Sequence, residues 1–160
     1  MRNLQHFKSD GKYNSLWYWH KAQNPALVVF NFIIISIGRI IPSMRVKNFL
    51  YRLLRMKIGK NVSIGLLAMF DIFFPELIEI GNNSIIGYNA TILCHEFKVD
   101  SWAKGKTIVG KNVLIGTNST VLAGVKIGDN SIVSAMSLVN RNVPAKTFVG
   151  GVPAKFIKGL

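Results

Sequence analysis

Ile115-Gly116-Thr117-Asn118-Ser119-Thr120 and Ile127-Gly128-Asp129-Asn130-Ser131-Ile132 are two six-residue units cut to one pattern, and the pattern spreads outward from them in both directions. With the aliphatic residue as position one, the series runs Ile58, Ile64, Ile80, Ile86, Ile92, Val109, Ile115, Val121, Ile127, Val133 and Val139, each of them Ile or Val. Position two is often glycine, as in Gly59, Gly65, Gly81, Gly87, Gly110, Gly116 and Gly128. Position five is small or Val, from Val62 to Val143, with the single exception of Glu96. A branched aliphatic every six residues marks a short strand plus a tight turn, with the aliphatic pointing inward and stacking on its equivalents. Glycine and asparagine are expected to give the corners their backbone freedom. Three units close a triangular coil, so the coils run roughly 58–75, 80–97, 109–126 and 127–144, with insertions at 76–79 and 98–108. About four coils at ~4.8 Å each make a prism about 20 Å tall. The fold class is therefore all-β, a parallel β-solenoid, and periodicity leaves its hand open.

Around the repeat, residues 1–57 read as a basic helical segment and 145–160 as a tail that caps the far end. Pro42 and Ser43 sit where a helix would begin, and Val46, Phe49, Leu50, Leu53 and Leu54 make one apolar stripe along it. A shorter helical turn is expected over Leu16 to Gln23, ending before Pro25. The apolar stretch Ala26 to Ile41 contains Asn31, Ser36 and Arg39. It falls short of the ~20 apolar residues that a membrane span needs, and reads as a buried or interfacial helix. The opening residues are polar and aromatic, unlike a signal peptide.

The net charge is +13, and its placement matters more than its size. Residues 1–60 carry eleven basic residues against one acid, Asp10; residues 61–160 carry nine against six. The N-terminal positives are interleaved with Leu, Ile, Phe and Trp, which favours an anionic membrane surface over a nucleic acid. No nucleic-acid motif is present. The single cysteine, Cys94, excludes an internal disulfide and fits a cytoplasmic setting.

The two units quoted first resemble the hexapeptide-repeat acyltransferases. So does Gly150-Gly151-Val152-Pro153-Ala154-Lys155, which is similar to the G-x-P-A-[RK] tail of the galactoside, maltose and xenobiotic O-acetyltransferases. The resemblance covers residues 58 to 158. It implies a left-handed parallel β-helix with an extruded loop, a homotrimer with active sites between subunits, and acetyl-CoA as co-substrate.

It also implies where the chemistry sits. His95 lies where the hexapeptide breaks, in Ile92-Leu93-Cys94-His95-Glu96-Phe97, at the base of the excursion 98–108. The family keeps its general base there, and a hydroxyl acceptor needs a proton acceptor whose ordinary pKa is near neutrality. Glu96 has two readings, a carboxylate that holds the imidazole tautomer or a solvent-facing residue at the loop base. Asp71, an acid in an apolar run one coil earlier, is either an acceptor-binding residue or an exposed turn residue. For acetyl-CoA the resemblance points to Thr117 and Ala135 beside the pantetheine arm, with Asn140 and Arg141 where relatives have Thr-Lys. Lys155 and Lys158 stand where relatives carry a basic residue near the phosphates. Met136 departs from the family's usual glycine, and Leu122-Ala123-Gly124 lacks the usual proline. Cys94 beside His95 suggests a thiol nucleophile only weakly, since neighbours on a strand point to opposite sides. No second histidine exists in the repeat, so the three-histidine zinc site of carbonic anhydrases on this fold cannot be built and no metal is expected.

The expected activity is O-acetylation of a saccharide, on a cell-envelope or lipid-linked glycan. An N-acetyltransferase of amino sugars and a non-catalytic hexapeptide scaffold are the alternatives.

Overall fold

The computed structural model describes residues 1–160. An inward aliphatic every six residues permits strands of only two or three residues, and these stack into three parallel sheets that form the faces of a prism. The first face takes Lys57–Ile58, Ile78–Ile80, Thr107–Val109 and Lys126–Ile127. The second takes Ser63–Ile64, Ile85–Ile86, Leu114–Ile115 and Ile132–Val133. The third takes Met69–Phe70, Thr91–Ile92, Thr120–Val121 and Leu138–Val139. All eleven position-one aliphatics are buried, and Phe70 fills the equivalent slot on the third face of the first rung.

The corners divide their labour differently from the expectation. Left-handed backbone falls on position four, at Asn61, Asn83, Asn89, Asn112, Asn118 and Asn130, and not on the position-two glycines. Asparagine tolerates this conformation, and stacked corners link their amides: Asn83 donates to Asn112 (2.9 Å) and Asn112 to Asn130 (3.0 Å). The position-two glycines are required for space. A Cβ on Gly116 would lie 2.3 Å from the Ala135 nitrogen in the next rung.

Residues 145–160 continue the second face with Thr147–Gly150, against which Lys155–Gly159 folds back antiparallel. The excursion after His95 is a hairpin of His95–Phe97 and Ser101–Lys104. Its outer strand pairs antiparallel with Gln5–Lys8, so the N-terminus begins as a strand and not as a helix.

The expected turn over Leu16 to Gln23 is a 3-10 turn, Ser15–Tyr18, running into α1, Trp19–Ala22. Helix α2 follows over Pro25–Ile40, with the Asn24 side chain capping the Ala26 N–H, and α3 spans Met44–Leu53 behind Ser43. Both helices bring polar side chains to the prism. The N–H groups of each rung donate to carbonyls of the next, as Gly59 does to Ile80 (2.9 Å) and Gly81 to Val109 (2.8 Å). Carbonyls of the first rung therefore have no strand to accept from. Buried unpaired carbonyls are costly, and the helices turn polar side chains inward to meet them. Lys47 Nζ donates to Ile64 and Gly65 O (both 3.0 Å), and Asn48 Nδ2 to Val62 O (2.9 Å). The Arg52 guanidinium donates to the Ile58 and Gly59 carbonyls, Arg39 to that of Leu67, and Asn31 to that of Ile72. Of the expected apolar stripe, Val46, Phe49 and Leu53 are left exposed, Leu50 is half-buried and Leu54 is buried.

Candidate active site

At the end of the third face the chain leaves the prism through Leu93 and Cys94 into the hairpin strand that carries His95. One rung earlier, Phe70 pairs with Ile92, so Asp71 arrives directly beside this exit. Asp71 is 1% exposed and spends both oxygens inside the protein. Its Oδ1 accepts from the Phe73 and Phe74 N–H groups (both 2.9 Å). Its Oδ2 accepts from the N–H groups of Cys94 (2.6 Å) and His95 (3.0 Å) and lies 2.6 Å from His95 Nδ1.

Burial by itself would push the Asp71 carboxyl up. The hydrogen bond and charge of His95, with the Phe74 and Cys94 N–H groups, outweigh it and hold the carboxyl below the usual carboxylate range. An ionised partner at Nδ1 makes that nitrogen the donor, which leaves Nε2 with its lone pair. Nε2 has no hydrogen-bond partner in the protein, and the imidazole keeps a 16% exposed edge. Phe73 and Phe97 enclose the ring at centroid distances of 4.6 and 5.2 Å. A histidine so held, with one nitrogen clamped by a carboxylate and the other open in an apolar frame, can accept a proton at a fixed point.

Two expectations for the carboxylates change places. Glu96 does not reach the imidazole; it pairs with Arg2 of the N-terminal arm. Asp71 offers no free oxygen to an acceptor and is not an exposed turn residue; it takes the orienting position considered for Glu96. Cys94 is fully buried, and burial, aided by the Asp71 charge, pushes its thiol up to about 12, so it is no nucleophile at neutral pH.

The residues expected at acetyl-CoA separate by prism edge. Asn140 and Arg141 lie on the corner that follows the third face, the corner from which His95 departs. Arg141 and Lys155 line one cavity of ≈ 320 Å³ with Val149 and Phe156. Asn140 and Arg141 line a second, of ≈ 670 Å³, with Arg2 and His6. The Asn140 Oδ1 is buried without a partner. Thr117 and Ala135 stack on a different corner, the one that follows the second face, joined through the bond from Met136 N–H to Thr117 O (2.8 Å). Met136 is left-handed and exposed there. Lys158 is exposed on the terminal strand and lines neither cavity.

The N-terminal arm is the part of this region that the sequence reading missed. Asn3 N–H donates to Gly124 O (3.0 Å), Arg2 reaches Glu96 and the Ala123 carbonyl, and Asn142 donates to Met1 O. The signals were present: a carboxylate at Glu96 where the repeat wants a small residue, and Gly124 where six other corners have a left-handed Asn. A Cβ on Gly124 would sit 2.5 Å from the Asn3 carbonyl oxygen.

The family described as "Bacterial transferase hexapeptide (six repeats)" matches residues 106–141. The chain is 50% identical over 145 residues to "Putative acetyltransferase YvoF" of Bacillus subtilis (strain 168), covering 90% of this chain and 84% of that one. This chain belongs to the hexapeptide-repeat acetyltransferases. It is also 32% identical over 113 residues to the galactoside O-acetyltransferase of Escherichia coli (strain K12), covering 64% of this chain and 56% of that protein. Among solved structures it superposes on a galactoside acetyltransferase in complex with coenzyme A with a TM-score of 0.68 at 20% identity, covering 97% and 86% of the two chains. It likewise superposes on the Vibrio cholerae hexapeptide-repeat acetyltransferase VCA0836 complexed with acetyl-coenzyme A, with a TM-score of 0.67 at 22% identity over 84% and 87%. Family and fold together make the coil a left-handed β-helix.

Proposed function

We propose that this acetyltransferase moves an acetyl group from acetyl-CoA to a hydroxyl of a saccharide, on a cell-envelope or lipid-linked glycan at the cytoplasmic face of the membrane, with His95 as general base. The observation that carries the reading is the clamped imidazole: Nδ1 on buried Asp71, Nε2 open. In this reading Nε2 takes the proton from the acceptor hydroxyl as its oxygen bonds to the thioester carbonyl carbon. The carbon–sulfur bond then breaks, and the departing thiolate recovers the proton from the imidazolium. Asp71 fixes the tautomer and offsets the positive charge that develops on the ring. Backbone N–H groups near the acyl carbon hold the oxyanion.

The residues present fit the acyl donor. The orphaned Asn140 Oδ1 supplies an acceptor for the donor's amides, and Arg141 and Lys155 supply cations for its phosphates. Thr117 and Ala135 lie on another edge of the same chain. The His95 edge of one subunit and the Thr117/Ala135 edge of a neighbour would meet in a homotrimer, and the groove between them would hold a long thioester. On this assignment residues 58–144, about four coils, form the catalytic prism, with 1–57 and 145–160 as its two covers.

His95→Ala is expected to lower turnover by about 10²-fold or more with the fold intact. A variant with near-native kcat and unchanged circular dichroism refutes the base. The acceptor class is read by transfer of labelled acetyl onto cell-envelope fractions; label appearing on no saccharide refutes it.

A further inference from the structure

Helices α2 and α3 meet the first rung with Asn31, Lys47 and Asn48 set among Val28, Ile35, Tyr51 and Leu54, and they leave further apolar residues on their outer side. On α2 the inward positions are Val28, Asn31, Ile35 and Gly38, with Gly38 packed on Tyr51 of α3. Phe30, Ile33, Ile37 and Ile40 occupy the opposite side, and Phe49 and Leu53 extend it across α3; every one is between 44% and 69% exposed. An apolar face spanning two helices is far more than the scattered exposed hydrophobics that any surface carries.

What surrounds this face selects its occupant. Residues 11–70, the helices and most of the first rung, contain nine basic residues and no acid, and the first rung's one acid, Asp71, is buried against His95. Lys47, Arg39 and Arg52 are engaged with carbonyls, whereas Arg45, Arg55, Lys57 and Lys60 stand exposed around the face. Glu76 lies near Arg55 and Glu79 near Lys57, but the cations outnumber these carboxylates, so a second copy of the chain would bring two net-cationic rims together, a repulsive arrangement. Position argues the same way. The face looks along the prism axis, beyond the open rung, whereas subunits that share a groove meet side by side. Helix α2 has sixteen residues, about 24 Å at 1.5 Å per residue, too short for a ~30 Å hydrocarbon core. No single helix is long and apolar enough to cross a membrane.

We infer that the outer face of α2 and α3 is a membrane-docking surface, lying in the headgroup layer of an anionic bilayer with the prism axis along the membrane normal. Apolar side chains enter the acyl boundary while the cationic rim meets anionic headgroups, the pattern of interfacial helices. His95 leaves the prism one rung beyond the cap. One helix thickness and two rung spacings put it on the order of 20 Å from the lipid surface. That consequence alone rests on the lipid-linked acceptor proposed above; the docking does not.

The test is flotation of the full chain with phosphatidylcholine vesicles, with and without phosphatidylglycerol. The native chain is expected to float with the anionic vesicles at low salt and to be released at high salt. The double variant Phe30→Glu/Ile33→Glu is expected to lose roughly tenfold or more of the bound fraction, since a carboxylate at either place opposes both insertion and the anionic headgroups. Arg45→Glu, which touches no apolar residue of the face, should weaken binding and flatten its salt dependence. Leu160→Glu, exposed on the tail at the far end of the prism, should float as the native chain does. A native chain that stays soluble at low salt overturns the inference, and so does a double variant that floats normally. A double variant that leaves flotation intact but lowers the sedimentation coefficient of the free protein shows a copy interface instead. Because flotation needs no turnover, a chain that binds vesicles yet acetylates no saccharide refutes the acceptor and leaves the docking surface standing.

Discussion

In the prism, Ile64, Ile86, Ile115 and Val133 point inward on four successive rungs and the polar residues face out. On α3, just upstream, Lys47 and Asn48 are buried while Val46, Phe49 and Leu53 face out. One cost shapes both regions, that of a buried polar group without a partner; at the cap Lys47 Nζ and Asn48 Nδ2 meet carbonyls, while Asn48 Oδ1 and the Tyr51 hydroxyl stay unpaired. Within the coils each backbone group finds its partner in the next rung, so the interior is free to be aliphatic. At the first rung the carbonyls have no next rung, and the surface to be covered is itself polar. A helix laid on it is stabilised by donors set among a few apolar contacts, Tyr51 and Leu54 on α3 and Val28 and Ile35 on α2, and other apolar residues are left on its outer side. Burial in a capping helix is therefore set by what it covers, and not by its hydrophobic periodicity.

Asp71 is where the polar-in arrangement serves the chemistry, and its loss should have the largest effect. Asp71→Asn replaces one fully used oxygen by an amide donor that faces N–H groups. We expect a stability loss of about 3–5 kcal/mol, the usual consequence of breaking a buried charged pair. We also expect turnover to fall by about 10²-fold or more through the lost tautomer, with KM for the acyl donor little changed. Asp71 is a positioning residue, so a raised KM with kcat preserved would contradict the assignment.

Lys47 tests the same rule at the cap. Lys47→Met keeps the volume and removes the donor shared by the Ile64 and Gly65 carbonyls. Burial already lowers the pKa of this amine, so the substitution relieves a buried charge while orphaning two acceptors. At about 1–3 kcal/mol for each unpaired group, the net loss should be roughly 2–4 kcal/mol, read from chemical denaturation. An unchanged or raised stability would mean that water satisfies the open rung and the lysine is incidental.

A third measurement separates the two sites by pH. The Asp71 carboxyl is depressed in the folded chain, so its contribution is present above the unfolded value of about 3.9 and is lost as pH falls through the folded value. The stability gap between the native chain and Asp71→Asn should be constant near neutrality and close below about pH 4. A gap that is constant throughout the acid range would show that Asp71 is not ionised in its pocket.

The coils were legible in the sequence because their physics is local: each inward residue recurs at a fixed spacing and each asparagine corner lies within its own unit. His95 was legible for the same reason, as a break in that spacing. Its partner was not, since the Asp71–His95 contact spans 24 residues and depends on how the insertion at 76–79 is absorbed between rungs. The arm was less legible still. Arg2 meets Glu96 across 94 residues, and nothing in residues 1–8 shows a strand that will pair with a hairpin. The α3 stripe was legible only in part, for a different reason. Its period was right, but a stripe tells which sides of a helix differ and not what surface lies beneath either of them.

Phe49 provides the finest test of that last point. By periodicity it sits in the middle of the α3 stripe, and a conventional core-facing Phe replaced by a small polar residue would cost about 3–5 kcal/mol. In the structure it is 60% exposed, so its side chain holds little area that folding removes from water. Helix propensity changes little between Phe and Ser, and neither Ser43, which caps the helix, nor the Lys47 and Asn48 donors are disturbed. Phe49→Ser should therefore leave the unfolding free energy within about 0.5 kcal/mol of native, the range for surface substitutions. The measurement is an equilibrium denaturation curve in the absence of lipid, with the midpoint and the slope both recorded. A midpoint shift worth about 2 kcal/mol or more, on the same ~3 kcal/mol scale as a core truncation, would put Phe49 in an interior. The inside-out reading of the cap would then fall. A small shift leaves Lys47 and Phe49, two positions apart on one helix, with effects in the reverse order of their hydrophobicity.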